Sequence, residues 1–208
     1  TNLHMKKTKL LLIGVLASLS LAIQAQNYLP QKNSFSFGGG MMWGLGNTKG
    51  GFLDEAGKHT CAEFIMDYRH YWGGDFAIGA TYNHLTGNKD GNSLRCNYIA
   101  PTMTYRWLWA ENKQGFWATL GIGYLHYKDE IYDNEFKKGH LTMSASLGYE
   151  FALGKGVGMQ IRADFIMSDF RYVNSGYYPS YDGNYHFSDN WDSALNFLSL
   201  GVALMFGK

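Results

Sequence analysis

Residues 140–153 read HLTMSASLGYEFAL, and this stretch decides the fold. Apolar side chains occupy every second position from Leu141 to Leu153, and small or polar residues, among them Glu150, lie between them. Because successive side chains of a β-strand point to opposite faces, this period of two predicts a strand with one apolar and one polar face.

Seven other segments alternate in the same way, and turn residues separate them. The predicted strands are Ser34–Leu45, Cys61–Tyr71, Phe76–Thr86, Ser93–Trp109, Phe116–Lys128, His140–Leu153, Gly158–Tyr172 and Ser193–Phe206. Most are long enough to cross a bilayer at a tilt, which takes ~9–11 residues. The sequence therefore predicts an all-β fold, an eight-stranded antiparallel up-and-down transmembrane β-barrel.

The connections between these strands alternate in length, as in outer-membrane barrels with short periplasmic turns and longer external loops. The short turns are residues 72–75, 110–115 and 154–157. The mostly longer, polar loops are residues 46–60, 87–92, 130–139 and 173–192. This order predicts that both ends of the barrel domain lie on the periplasmic side.

Alternation alone does not say which face is inside, since a soluble lipocalin-like barrel also has eight strands but turns its apolar face inward. Three features favour the membrane arrangement: glycines and charged residues share the polar face, and aromatic residues gather near the strand ends of the apolar face. The charged residues predicted to form a network in the lumen are Glu63, Asp67, Arg69, Arg106, Glu150, Arg162 and Asp164. The predicted aromatic girdles are Phe35, Phe37, Trp107, Trp109, Phe116, Phe151 and Phe206 at the turn end, with Trp43, Tyr82 and Tyr124 toward the loop end.

The N-terminus has the pattern of a secretory signal peptide. Three lysines precede an apolar run of 14 residues, Leu10 to Ile23, and a small residue, Ala25, stands at the expected cleavage point. That run is short for a spanning helix, which needs ~20 residues. We therefore predict a signal peptide at residues 1–25, with 1–4 as a start-site artefact, and a barrel domain at 26–208.

Charge excludes nucleic acid as a partner. Without residues 1–25 the count of Lys and Arg falls from 18 to 15 while Asp and Glu stay at 17, so the net charge is −2. Nucleic-acid binding would require a basic patch.

Together these features resemble the small eight-stranded outer-membrane β-barrel family, of the OmpA/OmpX type, with a porin-family-like outer membrane protein β-barrel domain. The resemblance covers residues 26–208 and rests on pattern. The last strand, ending in Phe206, is similar to the family's assembly signal, although Gly207 and Lys208 follow it. The resemblance implies a Gram-negative outer membrane, contact with its lipid and lipopolysaccharide, insertion by the barrel-assembly machinery, and a structural, adhesive or stress-related role.

The charged lumen has two interpretations, internal salt bridges that plug the barrel or a narrow path for ions and small solutes. A third hypothesis is a lipid A-modifying enzyme, because His84, His126 and His140 fall near loop ends, not far from Asp129. The nearest match to a deacylase motif lacks its serine, and no zinc spacing, P-loop or nucleotide fingerprint occurs. We accordingly expect no enzyme activity and assign no catalytic, cofactor or metal-binding residue.

Two further features concern the loop ends. The loop 173–192 mixes aromatic residues with Gly, Ser, Asn and Asp, as binding surfaces do, so it either binds a glycan or host-surface ligand or packs on itself. Its candidate binding residues are Tyr177, Tyr178, Tyr181, Tyr185 and Trp191. Cys61 and Cys96 lie on strands separated by a third, ~9.5 Å apart, whereas a disulfide needs Cα atoms within ~7 Å; strand bending or a shifted register would be required to join them.

Overall fold

A computed structural model of the chain describes residues 29, 32–45, 60–89, 91–131, 134–168, 171–172, 178–179, 185–186, 191–192 and 195–207. The predicted signal peptide lies outside these residues. Within them, no helix has the length and hydropathy needed to span a bilayer.

Eight long strands form the fold. They are β1 (Asn33–Leu45), β2 (Thr60–Trp72), β3 (Phe76–Lys89), β4 (Asn92–Trp109), β5 (Gln114–Ile131), β6 (Asn134–Gly154), β7 (Val157–Ser168) and β12 (Leu195–Gly207). Each pairs antiparallel with its neighbour, and β12 pairs with β1, which closes the sheet into a barrel. The predicted all-β, eight-stranded antiparallel barrel is thereby confirmed.

Among the described residues between β7 and β12, four two-residue strands occur. β8 (Arg171–Tyr172) pairs with β11 (Trp191–Asp192), and β9 (Tyr178–Pro179) pairs with β10 (Tyr185–His186). The seventh predicted strand is therefore too long, because β7 ends at Ser168 and Tyr172 belongs to a separate pairing.

Two of the predicted loops are β-hairpins instead. β3 and β4 stay paired to Lys89 and Asn92, and β5 and β6 stay paired to Ile131 and Asn134. In these extensions apolar residues do not recur at every second position, so the alternation that marks a strand in the sequence is absent from them. The predictions of loops at 87–92 and 130–139 are thus wrong.

The polar face lies inside the barrel and the apolar face outside. On β6, Leu141 and Leu147 are 70% and 64% exposed, whereas Ser146 and Glu150 are buried. The period of two that marks this strand in the sequence is therefore also the period that separates the outer wall from the interior.

Phe151 departs from the predicted girdle. Its side chain is only 9% exposed, and its ring centroid lies 6.0 Å from that of Tyr149. The β6–β7 register shifts between Ala152 and Gly154, and such an irregularity re-aims the neighbouring side chains. The prediction that Phe151 lies on the exposed apolar face is wrong for this reason.

Glycine permits close contact between strands inside the narrow barrel. A Cβ atom added to Gly79 would lie 1.8 Å from the backbone oxygen of Tyr68, and one added to Gly123 would lie 2.1 Å from that of Ile99. No real side chain fits at such a distance, so the barrel could not keep this geometry with a larger residue at either position.

We expect Gly79→Val to destabilise the barrel and the neighbouring Ala80→Val to be tolerated, because Ala80 is exposed on the outer wall. Overpacking of the interior should lower the free energy of unfolding by about 1–3 kcal/mol or more, whereas the surface control should change it by less than about 0.5 kcal/mol. Urea unfolding in detergent, followed by the heat-modifiable gel shift, measures both. Equal midpoints for the two variants would contradict the close approach at Gly79.

Candidate functional site

The described interior consists of three layers along the barrel axis. A charged and polar layer occupies the middle, and an apolar cluster lies toward each end. All seven charged residues predicted to line the lumen are buried there, each at most 6% exposed.

Arg162 is the centre of the charged layer. Its Nε and Nη2 donate to Asp164 Oδ2 and Oδ1 at 2.7 and 2.6 Å, a two-point pairing that fixes the plane of the guanidinium. Its Nη1 donates to Asp67 Oδ2. Asp67 also accepts hydrogen bonds from Ser36 Oγ at 3.2 Å and Thr81 Oγ1 at 2.6 Å. The chain thus brings side chains from four strands, β1, β2, β3 and β7, to one charge pair.

A third carboxylate extends the network toward the turn end. Glu150 lies 3.8 Å from Arg69 Nη1 and 3.5 Å from Arg106 Nη1, and Arg69 Nη2 lies 3.8 Å from Asp67 Oδ2. Arg106 also donates from Nη2 to the backbone oxygen of Gly74 at 2.6 Å, which ties the network to the turn between β2 and β3.

Aromatic rings fill the space between these charges. The guanidinium carbons of Arg69 and Arg162 lie 4.0 and 5.3 Å from the centre of the Trp117 ring, and that of Arg106 lies 3.7 Å from the Tyr71 ring. Sequence reasoning missed both rings, although their positions within the alternation place them on the inward face.

Glu63 is set apart from the other six residues. Its Oε1 accepts a hydrogen bond from Asn83 Nδ2 at 2.7 Å, and it makes no ion pair within the residues that the structure describes. The predicted set therefore consists of six residues joined by ion pairs and one carboxyl, Glu63, that is linked to Asp67 through Asn83 and Thr81.

Apolar side chains seal the described interior on both sides of this network. Toward the loop end the cluster contains Met42, Cys61, Leu85, Leu94, Cys96, Tyr98, Ala100, Leu125, Tyr127, Ile166 and Phe197. Toward the turn end Leu29 packs with Ala152 and Met205, and its backbone N–H donates to the oxygen of Asn112 at 3.0 Å. The polar inner face predicted from the alternation is thus bounded by apolar side chains toward both ends of the described interior. In the sequence, the apolar or aromatic residues at the inward positions 94, 96 and 98 of β4 indicate the apolar layer at the loop end.

The three loop-end histidines do not converge. His84 and His126 lie on the outer face with β4 between them, and each is in register with Asn97. His140 is in register with Leu125, whose side chain is buried in the interior, so it lies on the opposite face of the sheet. The side chain of Asp129 is not among those that the structure describes.

Neither cysteine forms a disulfide, and both are buried in the loop-end apolar cluster. Leu85 of β3 is in register with Glu63 on one side and Cys96 on the other, so Cys61 is offset from Cys96 by two residues as well as by a strand. The geometry thus adds an axial offset to the separation inferred from sequence.

The predicted binding loop falls mostly outside the described residues, Tyr177 and Tyr181 among them. For Tyr178, Tyr185 and Trp191 the structure gives backbone pairing only, in β9, β10 and β11. Their role in binding stays a prediction.

An apolar groove of about 420 Å³ lies on the barrel wall. It is lined by Trp107, Phe116, Trp117, Leu147, Gly148, Tyr149, Ile161, Arg162, Ala163 and Leu200. Its exposed lining is almost entirely apolar, so we regard it as part of the outer wall and not as a site for a polar ligand.

No protein-family model matches the sequence, and no curated protein matches it. Solved structures do. Neisserial surface protein A is 7% identical over 85% of this chain and 97% of its own, with a TM-score of 0.59. The N-terminal β-barrel domain of OprF from Pseudomonas aeruginosa is 9% identical over 85% and 99%, with a TM-score of 0.52.

A third similar structure is the attachment invasion locus protein Ail of Yersinia pestis, in complex with the heparin analogue sucrose octasulfate. It is 11% identical over 86% of this chain and 100% of its own, with a TM-score of 0.51. At such identities the likeness shows the fold alone: this chain has the fold of small outer-membrane β-barrels.

We expect Arg162→Ala to lower the free energy of unfolding by about 3–5 kcal/mol, because it leaves Asp67 and Asp164 buried without their partner. The matched control is Arg95→Ala, since Arg95 is exposed on the outer face of β4. Thermal unfolding in detergent compares the two. An unchanged melting temperature for the Arg162 variant would show that the network does not stabilise the barrel.

Proposed function

We propose that this chain is a small structural protein of the Gram-negative outer membrane, with a surface-interaction role at its loop end. The observation that carries the proposal is the inverted polarity of the barrel. Leu120, Leu141 and Leu147 are 67%, 70% and 64% exposed on the wall, while three arginines are buried inside. Such a wall is unfavourable in water and favourable in lipid.

We propose that the chain reaches the outer membrane by secretion and assisted insertion. A cleaved signal peptide at residues 1–25 would direct the chain through the inner membrane, and the barrel-assembly machinery would insert it. The likeness in fold to outer-membrane proteins of Neisseria, Pseudomonas and Yersinia supports this location.

A structural role is favoured over a channel because of the layers inside the barrel. An ion would have to pass the loop-end apolar cluster, the paired charges around Arg162, and the seal formed by Leu29 and Met205. An eight-stranded barrel is only just wide enough for its own side chains. We therefore propose that the interior is a packed core that stabilises the barrel and does not conduct ions.

We also propose that the protein is not an enzyme. A general base must lie within hydrogen-bond reach of the group that it activates. His84 and His126 lie on the outer face, and His140 lies on the inner face, so they do not share a site. This arrangement favours interaction over lipid A modification.

The external partner that we propose is a glycan or another host-surface ligand. The Ail structure holds a heparin analogue, which concerns that protein and supports the proposal for this one by fold only. In this chain the aromatic loop 173–192 provides the candidate contacts.

The location and orientation are tested by cysteine labelling of intact cells. Because Cys61 and Cys96 are buried, the native chain serves as an unlabelled background. Asn88→Cys at the loop end should react with a membrane-impermeant maleimide, and Lys155→Cys at the turn end should react only after lysis. Labelling of Lys155→Cys in intact cells would contradict the proposed orientation, and labelling of neither variant would contradict surface exposure.

The interaction role is tested by deletion of residues 177–185. We expect the deletion to abolish binding of cells that express the protein to glycan-coated surfaces and to host cells, because it removes four of the five candidate aromatic residues and part of the loop that holds the fifth, Trp191. The barrel should keep its heat-modifiable gel shift. Normal binding by the folded deletion variant would place the interaction elsewhere or refute it.

A further inference from the structure

The outer faces of β4, β5 and β6 place three basic residues side by side at the loop end. The strand register pairs Arg95 with Lys128, and Lys128 with Lys137. Arg95 and Lys137 are exposed and Lys128 is half-buried. Neighbouring strands lie ~4.8 Å apart, so the three side chains form one continuous row, which we call the basic row.

The basic row lies between an acidic tip and the apolar wall. One row farther out, Ser93, Glu130 and Glu135 are in register. Two rows farther in, Ile99, Tyr124 and Leu141 are in register and 59%, 51% and 70% exposed.

The height of the basic row is that of lipid headgroups. Four residues separate Arg95 from Ile99, which is ~13 Å along the strand and roughly 10 Å along the membrane normal at the usual tilt of barrel strands. Tyr124 marks the interface below it, as aromatic residues do in membrane proteins. The positive charges of the basic row, on the outer face of the barrel, therefore lie beside the headgroups of the surrounding lipids.

The basic row already holds one anionic group. The Glu135 carboxylate bridges the row, with Oε2 paired to Lys128 Nζ and Oε1 paired to Lys137 Nζ. Hydrogen bonds from Lys128, the larger cause, and from Lys137 hold the pKa of Glu135 below its usual value. Because Glu135 is exposed, this pairing is weak and a competing anion can replace it.

We propose that Arg95, Lys128 and Lys137 bind the phosphate groups of lipids in the surrounding outer leaflet, and that Glu135 is an internal competitor for the same site. This inference rests on the proposed outer-membrane location. A phosphate monoester carries a charge of about −1.5 to −2 and three acceptor oxygens, so it engages more of the basic row than one carboxylate does. Arg95, which makes no ion pair with any described residue, adds a planar donor pair suited to phosphate.

A lipid fits this site better than a soluble sulfated glycan does. A glycan approaching from outside meets first the acidic row of Glu130 and Glu135. A lipid approaches along the wall, where its acyl chains pack against Ile99, Tyr124 and Leu141 while its phosphate reaches the basic row.

The test compares lipid retention by the full chain in native mass spectrometry. Each protein is reconstituted into phosphatidylcholine vesicles that contain bisphosphorylated lipid A or its dephosphorylated form, then extracted into mild detergent. A basic residue near an anionic surface contributes about fivefold in affinity, so the triple variant Arg95→Gln, Lys128→Gln, Lys137→Gln should lose its preference for the phosphorylated lipid by roughly 100-fold.

Two further variants define the site. Glu135→Gln removes the competitor and should raise retention of the phosphorylated lipid severalfold. Lys113→Gln with Lys155→Gln removes two positive charges at the turn end and should leave retention unchanged. Equal retention by the native chain and the triple variant, or weaker retention by Glu135→Gln, would overturn the proposal.

Two more readouts separate the causes of failure. Insertion into vesicles of phosphatidylcholine alone, measured by the heat-modifiable gel shift, tests the membrane location and the folding of every variant without the phosphorylated lipid. If all variants insert but retention does not depend on the basic row, the lipid site is refuted and the location stands. Sucrose octasulfate is the soluble competitor: if its binding requires the basic row and lipid retention does not, the row is a glycan site and the proposal is wrong.

Discussion

The pairing of Arg162 with Asp67 and Asp164 is the interaction on which the rest of the interior depends. A barrel of eight strands encloses only enough space for its own side chains, so charges placed there lose water and must be compensated by one another. Trp117 packs against two of the arginines, and small residues such as Gly79 leave room for the strands to close around the charges. Closure of the barrel, pairing of its buried charges and packing of its interior therefore depend on one another.

That constraint explains why so much could be predicted from the sequence. A two-residue period with charges such as Glu150 and Arg162 on one parity permits only an inside and an outside, so it indicates both the strands and the contents of the lumen. The prediction failed where that period is missing. In the hairpin ends near Lys89 and Asn134 apolar and polar residues do not alternate, so the pattern that identifies a strand is absent although the pairing continues.

The apolar seals were missed for a related reason. Leu94 and Tyr98 of β4 lie on the inward parity, but single apolar residues on a largely polar face do not by themselves predict an apolar layer. Phe151 shows the opposite error, since its parity predicts exposure but it is buried next to the register shift between Ala152 and Gly154. Partners across strands, such as Arg162 with Asp67, 95 residues apart, follow from register, which composition and periodicity do not determine.

Register also decides what the loop-end surface presents to its surroundings. Residues 89–95 and 128–138 together carry five Lys or Arg and five Asp or Glu, so these segments are neutral in sum and nothing in the sequence marks them as a binding surface. Once the strands are paired, Arg95, Lys128 and Lys137 align in one row and Glu130 and Glu135 in the next. Rows on one face of a sheet lie ~7 Å apart, less than the screening length of about 8 Å at physiological salt. Opposite charges at that separation form a dipole along the strands, and a ligand senses the nearer row most strongly. The wall therefore presents its positive side to molecules within the membrane and its negative side to those outside, a polarity that depends on pairing and not on net charge.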